Sequence, residues 1–287
     1  MEMSLISINL IAKDEGKVVG QVISNILSQI DSKFEVVVVE GYSSDETYEI
    51  LKSFESATFK ILRSKGSRGK ARNLALNKSS GRYILALDAD QIYIDLMDAT
   101  EEYLANYWEF GVTMGRSSFP ILAPKGLLIE VGGWRDLHFM EDIDLWLRLS
   151  EKCRYLYLPG MEKFFGKHIR EHKMRRPLHM RITNRIRMYR DARVAGIPVR
   201  FNGTFDRFLH FLGNPNMLFS RGDNIIDHYR ELFYSIEVPS NLSNLDWVMR
   251  IHYKMITSEC YRCKDSVFKE IKQRFEEVYG SPNSQLT

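Results

Sequence analysis

Two textures of apolar and polar positions alternate through the first ninety residues. Short runs rich in β-branched residues occupy positions 4–11, 34–40, 58–62 and 82–88. Between them, at 16–29, 45–54 and 68–77, apolar residues recur at helical spacing. Four consecutive valines at 36–39 give no polar face at all, as expected of a strand covered on both sides. Strand and helix in alternation predict βαβ units around a parallel sheet. Ligands of such sheets sit beyond the carboxyl ends of the strands. That rule selects the turns 11–15, 40–45 and 88–91.

The pattern then loosens. Residues 97–107 predict a helix, 111–115 a strand, and 125–131 a short helix stopped by Gly132-Gly133. Apolar residues at 143, 145, 147 and 149, with Trp146 between them, predict a helix over 142–151, followed by a strand at 154–158 that Pro159-Gly160 closes. Beyond about residue 170 the alternation stops. Aromatic-rich amphipathic segments at 174–195, 206–212, 224–233, 245–256 and 264–278 predict a helical C-terminal region, with breaks at 213–216 and 238–240 and a frayed tail from 281. The expected division is an α/β unit over 1–170 and a helical region over 171–287.

Composition changes this picture only in part. A chain of 287 residues, 44% apolar and 27% charged, can bury a sizeable core and is not a disordered polymer. Three Cys disfavour a disulfide framework and point to a reducing compartment, hence to a cytoplasmic location. The lone pair Cys260 and Cys263 has no second pair to complete a zinc site. The N-terminus shows no basic, apolar and small-residue succession, so no signal peptide is expected, and no apolar run is long enough to span a bilayer. Net charge is only +3, but it is unevenly placed. Residues 163–200 carry twelve Lys or Arg against Glu171 and Asp191 alone. Arg181, Arg185 and Tyr189 fall at helical spacing, with Leu178, Ile182 and Ile186 nearby. Such a stripe fits an anionic membrane surface, a phosphate-bearing ligand, or a plain solvated face. No nucleic-acid module accompanies the charge, so no nucleic-acid partner is expected.

Three clusters carry candidate chemistry. Asp88-Ala89-Asp90 follows the apolar run 83–87 and so lies at a strand's carboxyl end. Two adjacent carboxylates want a compensating cation, and hard oxygen donors suit Mg²⁺ or Mn²⁺. The same pair also reads as a loop that caps the next helix. Glu141-Asp142-Ile143-Asp144 opens a predicted helix; the helix dipole accounts for one such acid more readily than for three. Gly69-Lys70-Ala71-Arg72-Asn73 enters another helix with Gly66 and Arg68 upstream, which suits a phosphate or nucleotide, or a basic solvated face.

In order along the chain these pieces resemble family 2 glycosyltransferases. The opening strand and turn through Glu15, the Ser43-Ser44-Asp45-Glu46-Thr47 turn after the second strand, Ala71-Arg72-Asn73, Asp88-Ala89-Asp90, and Gly132-Gly133-Trp134 followed by Glu141-Asp142 all resemble that family's motifs. The resemblance covers roughly residues 4 to 170. It implies a GT-A type α/β fold, a mostly parallel central sheet with flanking helices, to which the helical C-terminal region is added. It implies inverting, metal-dependent transfer from a nucleotide-sugar donor to a glycan or glycolipid acceptor, with Mn²⁺ or Mg²⁺ as cofactor. By position, Asp90 resembles the main metal ligand, Asp88 a ligand to the metal or the ribose, and His168 a third metal ligand, with a surface histidine the equal alternative. Ala12, Glu15, Glu40 and Arg72 fall on the nucleotide side; Glu40 stands where Asp is usual and is one methylene longer. Asp142 falls at the general base, with Asp144 in reserve, and Glu141 and Trp134 on the acceptor side. The 52 residues from Asp90 to Asp142 make a short acceptor half. Alternatives are transfer to a polyprenyl phosphate, nucleotidyl transfer, or a non-catalytic membrane- or polyanion-binding protein of the same fold.

Overall fold

A computed structural model describes residues 5–114, 121–152, 154–159, 164–169, 177–196, 204–213 and 265–279. The four strands expected in the first ninety residues are β1 (Ile6–Ala12), β2 (Phe34–Glu40), β3 (Phe59–Arg63) and β4 (Tyr83–Asp88). They pair in parallel in the order β3-β2-β1-β4. Between them lie α1 (Val19–Leu27), α2 (Thr47–Lys52) and α3 (Arg68–Lys78). The valine run of β2 is apolar throughout because both its faces are covered. Val36 and Val38 enter the main core with Val19, Val22, Ile23 and Ile26 of α1, whereas Val37 and Val39 pack with Ala71, Leu74 and Ala75 of α3. Register sets Ala12 opposite Glu40 and Ile11 opposite Asp88, so the three ligand-facing turns open along one edge.

Beyond β4 come β5 (Gln91–Tyr93), α4 (Leu96–Asn106), β6 (Gly111–Met114), β7 (Ile121–Pro124), α5 (Lys125–Glu130), α6 (Glu141–Glu151), β8 (Tyr155–Leu158) and β9 (Phe165–His168). The sheet has seven strands in the order β3-β2-β1-β4-β7-β6-β8. β7 runs antiparallel to both β4 and β6, and β6 and β8 are parallel. β5 and β9 form a separate antiparallel ribbon. The sheet is thus mostly parallel with helices on both faces. Strands β5, β7 and β9, of three or four residues each, were not expected from the sequence.

The last described helices are α7 (Leu178–Val194), α8 (Thr204–Gly213) and α9 (Asp265–Tyr279). Pro177 precedes α7 and sets its start, later than the apolar spacing suggested. α7 and α9 join the main core. Ala192 and Ala195, with Ile271 and Phe275 of α9, belong to the same buried cluster as the sheet. The Phe275 ring meets Tyr157 of β8 edge-on at 6.1 Å, and Arg274 pairs with Glu102 of α4 at 3.0 Å. The expected helices at 224–233 and 245–256, Cys260, Cys263 and the tail lie outside the described residues. Among the described residues no helix is long and apolar enough to cross a membrane.

Candidate active site

The turns that end β1 and β2 are stitched to each other. Ser43 Oγ accepts from Asp14 N at 2.9 Å, Asp14 Oδ1 accepts from Ser44 N at 2.8 Å, and Asp45 Oδ2 accepts from Gly16 N at 2.9 Å. Glu15 N donates to Thr47 Oγ1 at 2.8 Å, and the buried Ala12 offers its carbonyl to Gly41 N at 2.9 Å. Glu40 is fully buried. Its Oε2 meets Arg63 Nε at 2.7 Å and its Oε1 accepts from Ser43 N. Burial pushes the Glu40 carboxyl up, but the bonds from Ser43 and Arg63 outweigh it and the net shift is downward. Arg63 in turn lies between the rings of Tyr42 and Tyr48, each 4.2 Å from its Cζ. The residue expected on the nucleotide side is therefore enclosed beneath an arginine, which its longer side chain reaches.

At the end of β4 the chain leaves the sheet through Asp88 and Asp90, while Ala89 between them stays buried. The Tyr93 hydroxyl locks this turn, accepting from Asp88 N at 2.8 Å and donating to Asp88 O at 3.0 Å. Ile169 N donates to Asp90 O at 3.0 Å, and β9 places His168 opposite Gln91. The backbone thus brings His168 beside the acidic pair. Its side chain lies outside the description. Among the described residues no three acidic, His or Cys side chains converge as a metal-binding group.

Across from this turn stands the start of α6, reached through Met140 in the left-handed conformation (φ 62°). Asp142 Oδ1 accepts from Trp134 Nε1 at 2.7 Å and lies 3.2 Å from Arg72 Nε, while its Oδ2 lies 3.3 Å from Arg72 Nη2. The same guanidinium is 3.3 Å from Asp88 Oδ1. One arginine, 5% exposed, therefore bridges the two acidic clusters, whose carboxylates are 35% (Asp88) and 19% (Asp142) exposed. Burial disfavours the charged form of Arg72. The negative charges of Asp142, Asp88 and Glu141 outweigh it, and the net effect favours the cation.

The other two acids of the first turn of α6, Glu141 and Asp144, are buried. Glu141 Oε1 has no hydrogen-bond partner and stands 3.7 Å from Arg68 Nη1. Burial and then the neighbouring Asp142 charge push the Glu141 carboxyl upward, against the pull of Arg68 and Arg72. Asp144 is clasped by Arg148 at 2.7 Å and Arg135 at 3.3 Å. As a reserve base it has no open path to a substrate. Trp134 is 1% exposed and touches Asp142, not solvent, so it orients the carboxylate instead of lining the surface.

α3 turns out to be a strut between the two sides. Ser67 caps it, accepting from Lys70 N at 3.1 Å, and donates to Asp136 at 2.6 Å. Lys70 pairs with Asp136 at 2.9 Å, and the Asn73 amide brackets the backbone of Trp134, accepting from its N at 2.9 Å and donating to its O. Gly69 N donates to Leu137 O at 3.0 Å, and a Cβ at Gly69 would fall 1.7 Å from Arg135 O. Only glycine allows that approach. The basic residues expected at a phosphate are thus committed, for Lys70 and Arg72, to protein carboxylates.

Asp191 on α7 was not singled out from the sequence. It is fully buried, and its Oδ2 accepts from His138 N at 2.8 Å and Phe139 N at 3.0 Å, just ahead of α6. Its Oδ1 accepts from Arg190 at 2.6 Å. Arg135 also donates to Val194 O at 3.0 Å. The one available signal was a single acid inside a run of arginines.

The family profile described as "Glycosyl transferase family 2" matches residues 7–99. The Escherichia coli UDP-Glc:alpha-D-GlcNAc-diphosphoundecaprenol beta-1,3-glucosyltransferase WfaP is 30% identical over 181 residues, which cover 52% of this chain and 72% of WfaP. WfgD, an E. coli glucosyltransferase of the same description, is 33% identical over 96 residues, 33% of this chain and 38% of WfgD. The chain therefore spans most of one relative and well under half of the other. Among solved structures, the mannosyltransferase PcManGT from Pyrobaculum calidifontis, in complex with GDP-Man and Mn²⁺, superposes with a TM-score of 0.54 at 13% identity, over 97% of this chain and 86% of that one. At that identity the likeness shows the fold, which is that of a GT-A glycosyltransferase. Sequence likeness along most of WfaP and a matching fold agree: the chain is a glycosyltransferase belonging to family 2.

Proposed function

We propose that the enzyme moves a sugar, with inversion, from a nucleotide-sugar donor to a hydroxyl of a lipid-borne glycan. The observation that carries this reading is Arg72, which joins the β4 turn to Asp142 through one buried guanidinium. It holds a carboxylate pair suited to a diphosphate's counter-ion next to a partly open carboxylate suited to a base.

An inverting transfer needs a base within hydrogen-bond reach of the acceptor hydroxyl, on the face of the sugar away from the leaving group. Asp142 takes that proton in this reading. Trp134 and Arg72 fix the carboxylate's orientation, and it keeps 19% of its surface exposed. An ionised phosphate acceptor would need no base and would be repelled by Asp142, which favours a hydroxyl. The two E. coli relatives are described as acting on a diphosphoundecaprenol-linked GlcNAc with UDP-Glc, which supports a lipid-borne acceptor and a nucleoside-diphosphate donor.

Asp88 and Asp90 fit a divalent cation. Both are hard oxygen donors on one short turn, Asp88 is a third exposed, and Mg²⁺ or Mn²⁺ is commonly held by one or two carboxylates with substrate phosphates completing the shell. When bound, such an ion supplies Lewis-acid neutralisation of the diphosphate. Tyr93 fixes the backbone of the turn, and Arg72 restrains Asp88 from the protein side.

The reading is tested by a thermal-shift panel of UDP, GDP, CMP and dTDP, each with and without Mn²⁺. One diphosphate should stabilise the fold only with metal, by about 2.7 kcal/mol at a hundredfold excess over its dissociation constant. Asp90→Ala should remove the effect. Stabilisation by no nucleotide, or stabilisation that survives Asp90→Ala, would sink the metal-assisted donor site.

Asp191 gives a second expected result. Asp191→Ala leaves two backbone N–H groups of the loop ahead of α6 without their acceptor, at a cost of about 1–3 kcal/mol each. Turnover should fall roughly tenfold or more, through misplacement of Asp142, while the donor KM holds. Turnover normalised to the folded fraction, read from the melting curve at the assay temperature, separates this from a general loss of fold, which would leave the normalised value at the wild-type level.

A further inference from the structure

We propose that the paired helices α7 and α8 form a docking surface for an anionic lipid bilayer. On α7 the exposed residues Met180, Thr183, Arg187, Arg190 and Val194 recur at intervals of three and four and so form one stripe. Tyr189 and Ala192 are buried on the other side. α8 packs along α7: the Tyr189 and His210 rings lie 5.6 Å apart, Leu209 is buried, and a Cβ at Gly213 would fall 2.7 Å from Ile186 O.

What α8 turns outward is not what a solvated helix shows. Phe208 is 54% exposed, Phe211 45% and Leu212 45%, all on one face with the exposed Arg207. Two phenylalanines and a leucine side by side in water form the kind of patch that marks an interaction site. Its charge selects the partner. α7 carries five arginines and one acid, Asp191, which is buried beneath Arg190. Arg181 and Arg187 of α7 and Arg207 of α8 are exposed. Cations flanking an outward aromatic and aliphatic face match the layered chemistry of a bilayer boundary, anionic headgroups over acyl chains.

The surface is also continuous with the candidate site. The helix that carries the arginine stripe is the one whose Asp191 and Val194 hold the loop ahead of α6. Docking α7 and α8 on lipid would fix the height of Asp142 above the membrane, where a lipid-borne hydroxyl is presented. In that purpose the inference rests on the proposed acceptor; its evidence does not.

The test uses the full chain and vesicles of phosphatidylcholine, alone or with phosphatidylglycerol, without nucleotide or acceptor. Binding is followed by flotation, and melting temperature and mass are measured without lipid. Wild type should bind the anionic vesicles only, and more weakly as salt rises. Arg187→Gln with Arg207→Gln should weaken binding about fivefold per arginine. Phe208→Ser with Phe211→Ser should weaken it about tenfold or more, with melting temperature and monomer mass unchanged. Failure of wild type to bind anionic vesicles, or wild-type binding by the Phe pair variant, would overturn the proposal. So would a clear fall in melting temperature of that variant, which would place the face against another part of this chain. Loss of a dimer in that variant would assign the face to a second copy. The nucleotide panel reads the donor site independently, so failure here and failure of the transferase mechanism are distinguishable.

Discussion

Arg72→Met should cost about 3–5 kcal/mol of stability and nearly all transfer activity. Methionine fills a similar volume, so the loss isolates the charge. Without the guanidinium, Asp88 and Asp142 lose the cation they share, and Glu141 loses one of the two cations that oppose its upward shift. The folded-state pKa of Glu141, already raised by burial and by the Asp142 charge, then rises further, while its unfolded value stays near 4. Protonation is common to both states in strong acid, so the penalty is small there and grows as pH rises through the carboxylate range. Chemical denaturation at about pH 4 and again near pH 8 should show the variant's deficit widening. Arg72→Lys should recover much of the stability but little of the turnover, because an ammonium on a single stem does not span both carboxylates as the planar fork does. A methionine variant with wild-type denaturation midpoints at both pH values would show that the bridge carries no weight.

Asp142→Asn should lower turnover by about 10²–10⁴, the range lost with a general base. The amide keeps the shape and can still accept from Trp134 Nε1, so folding should survive. Nucleotide stabilisation with Mn²⁺ should survive as well, since the β4 turn is untouched. Activity within a few-fold of wild type would move the base elsewhere. The buried state of Asp144 and Glu141 makes either a poor substitute, the first because two arginines hold it, the second because burial drives it toward its neutral form.

Much of this arrangement was legible from residues alone. Strands β1 to β4 and helices α1 to α3 stand within a few positions of where the alternating textures put them, most clearly β1, β2, β4 and α1, which bury the longest apolar runs. The carboxyl-end rule then placed Asp88 and Asp90 at the edge of the sheet where β4 ends. Partnership was less legible. Lys70 and Arg72 read as cations awaiting a phosphate because their protein partners, Asp136 and Asp142, lie more than sixty residues downstream. Glu40 read as a ligand contact because its pairing with Arg63 arises only when β2 and β3 align. Asp191 looked incidental among arginines, and its value comes from two backbone N–H groups that no sequence pattern marks. Short-range pattern reports burial; it does not report which opposite charge a buried group will meet.

The close seating of α3 on residues 133–138 bears on how such enzymes can be recombined. The family profile ends at residue 99, which invites exchange of donor portions between relatives at that point. Residues 67–73 would then meet a foreign partner at Gly69, Lys70, Arg72 and Asn73 at once. A backbone approach that excludes even a methyl group leaves no slack for a mismatched loop. Functional chimeras should therefore be those that inherit 67–73 and 133–142 from the same parent, wherever the nominal boundary is cut.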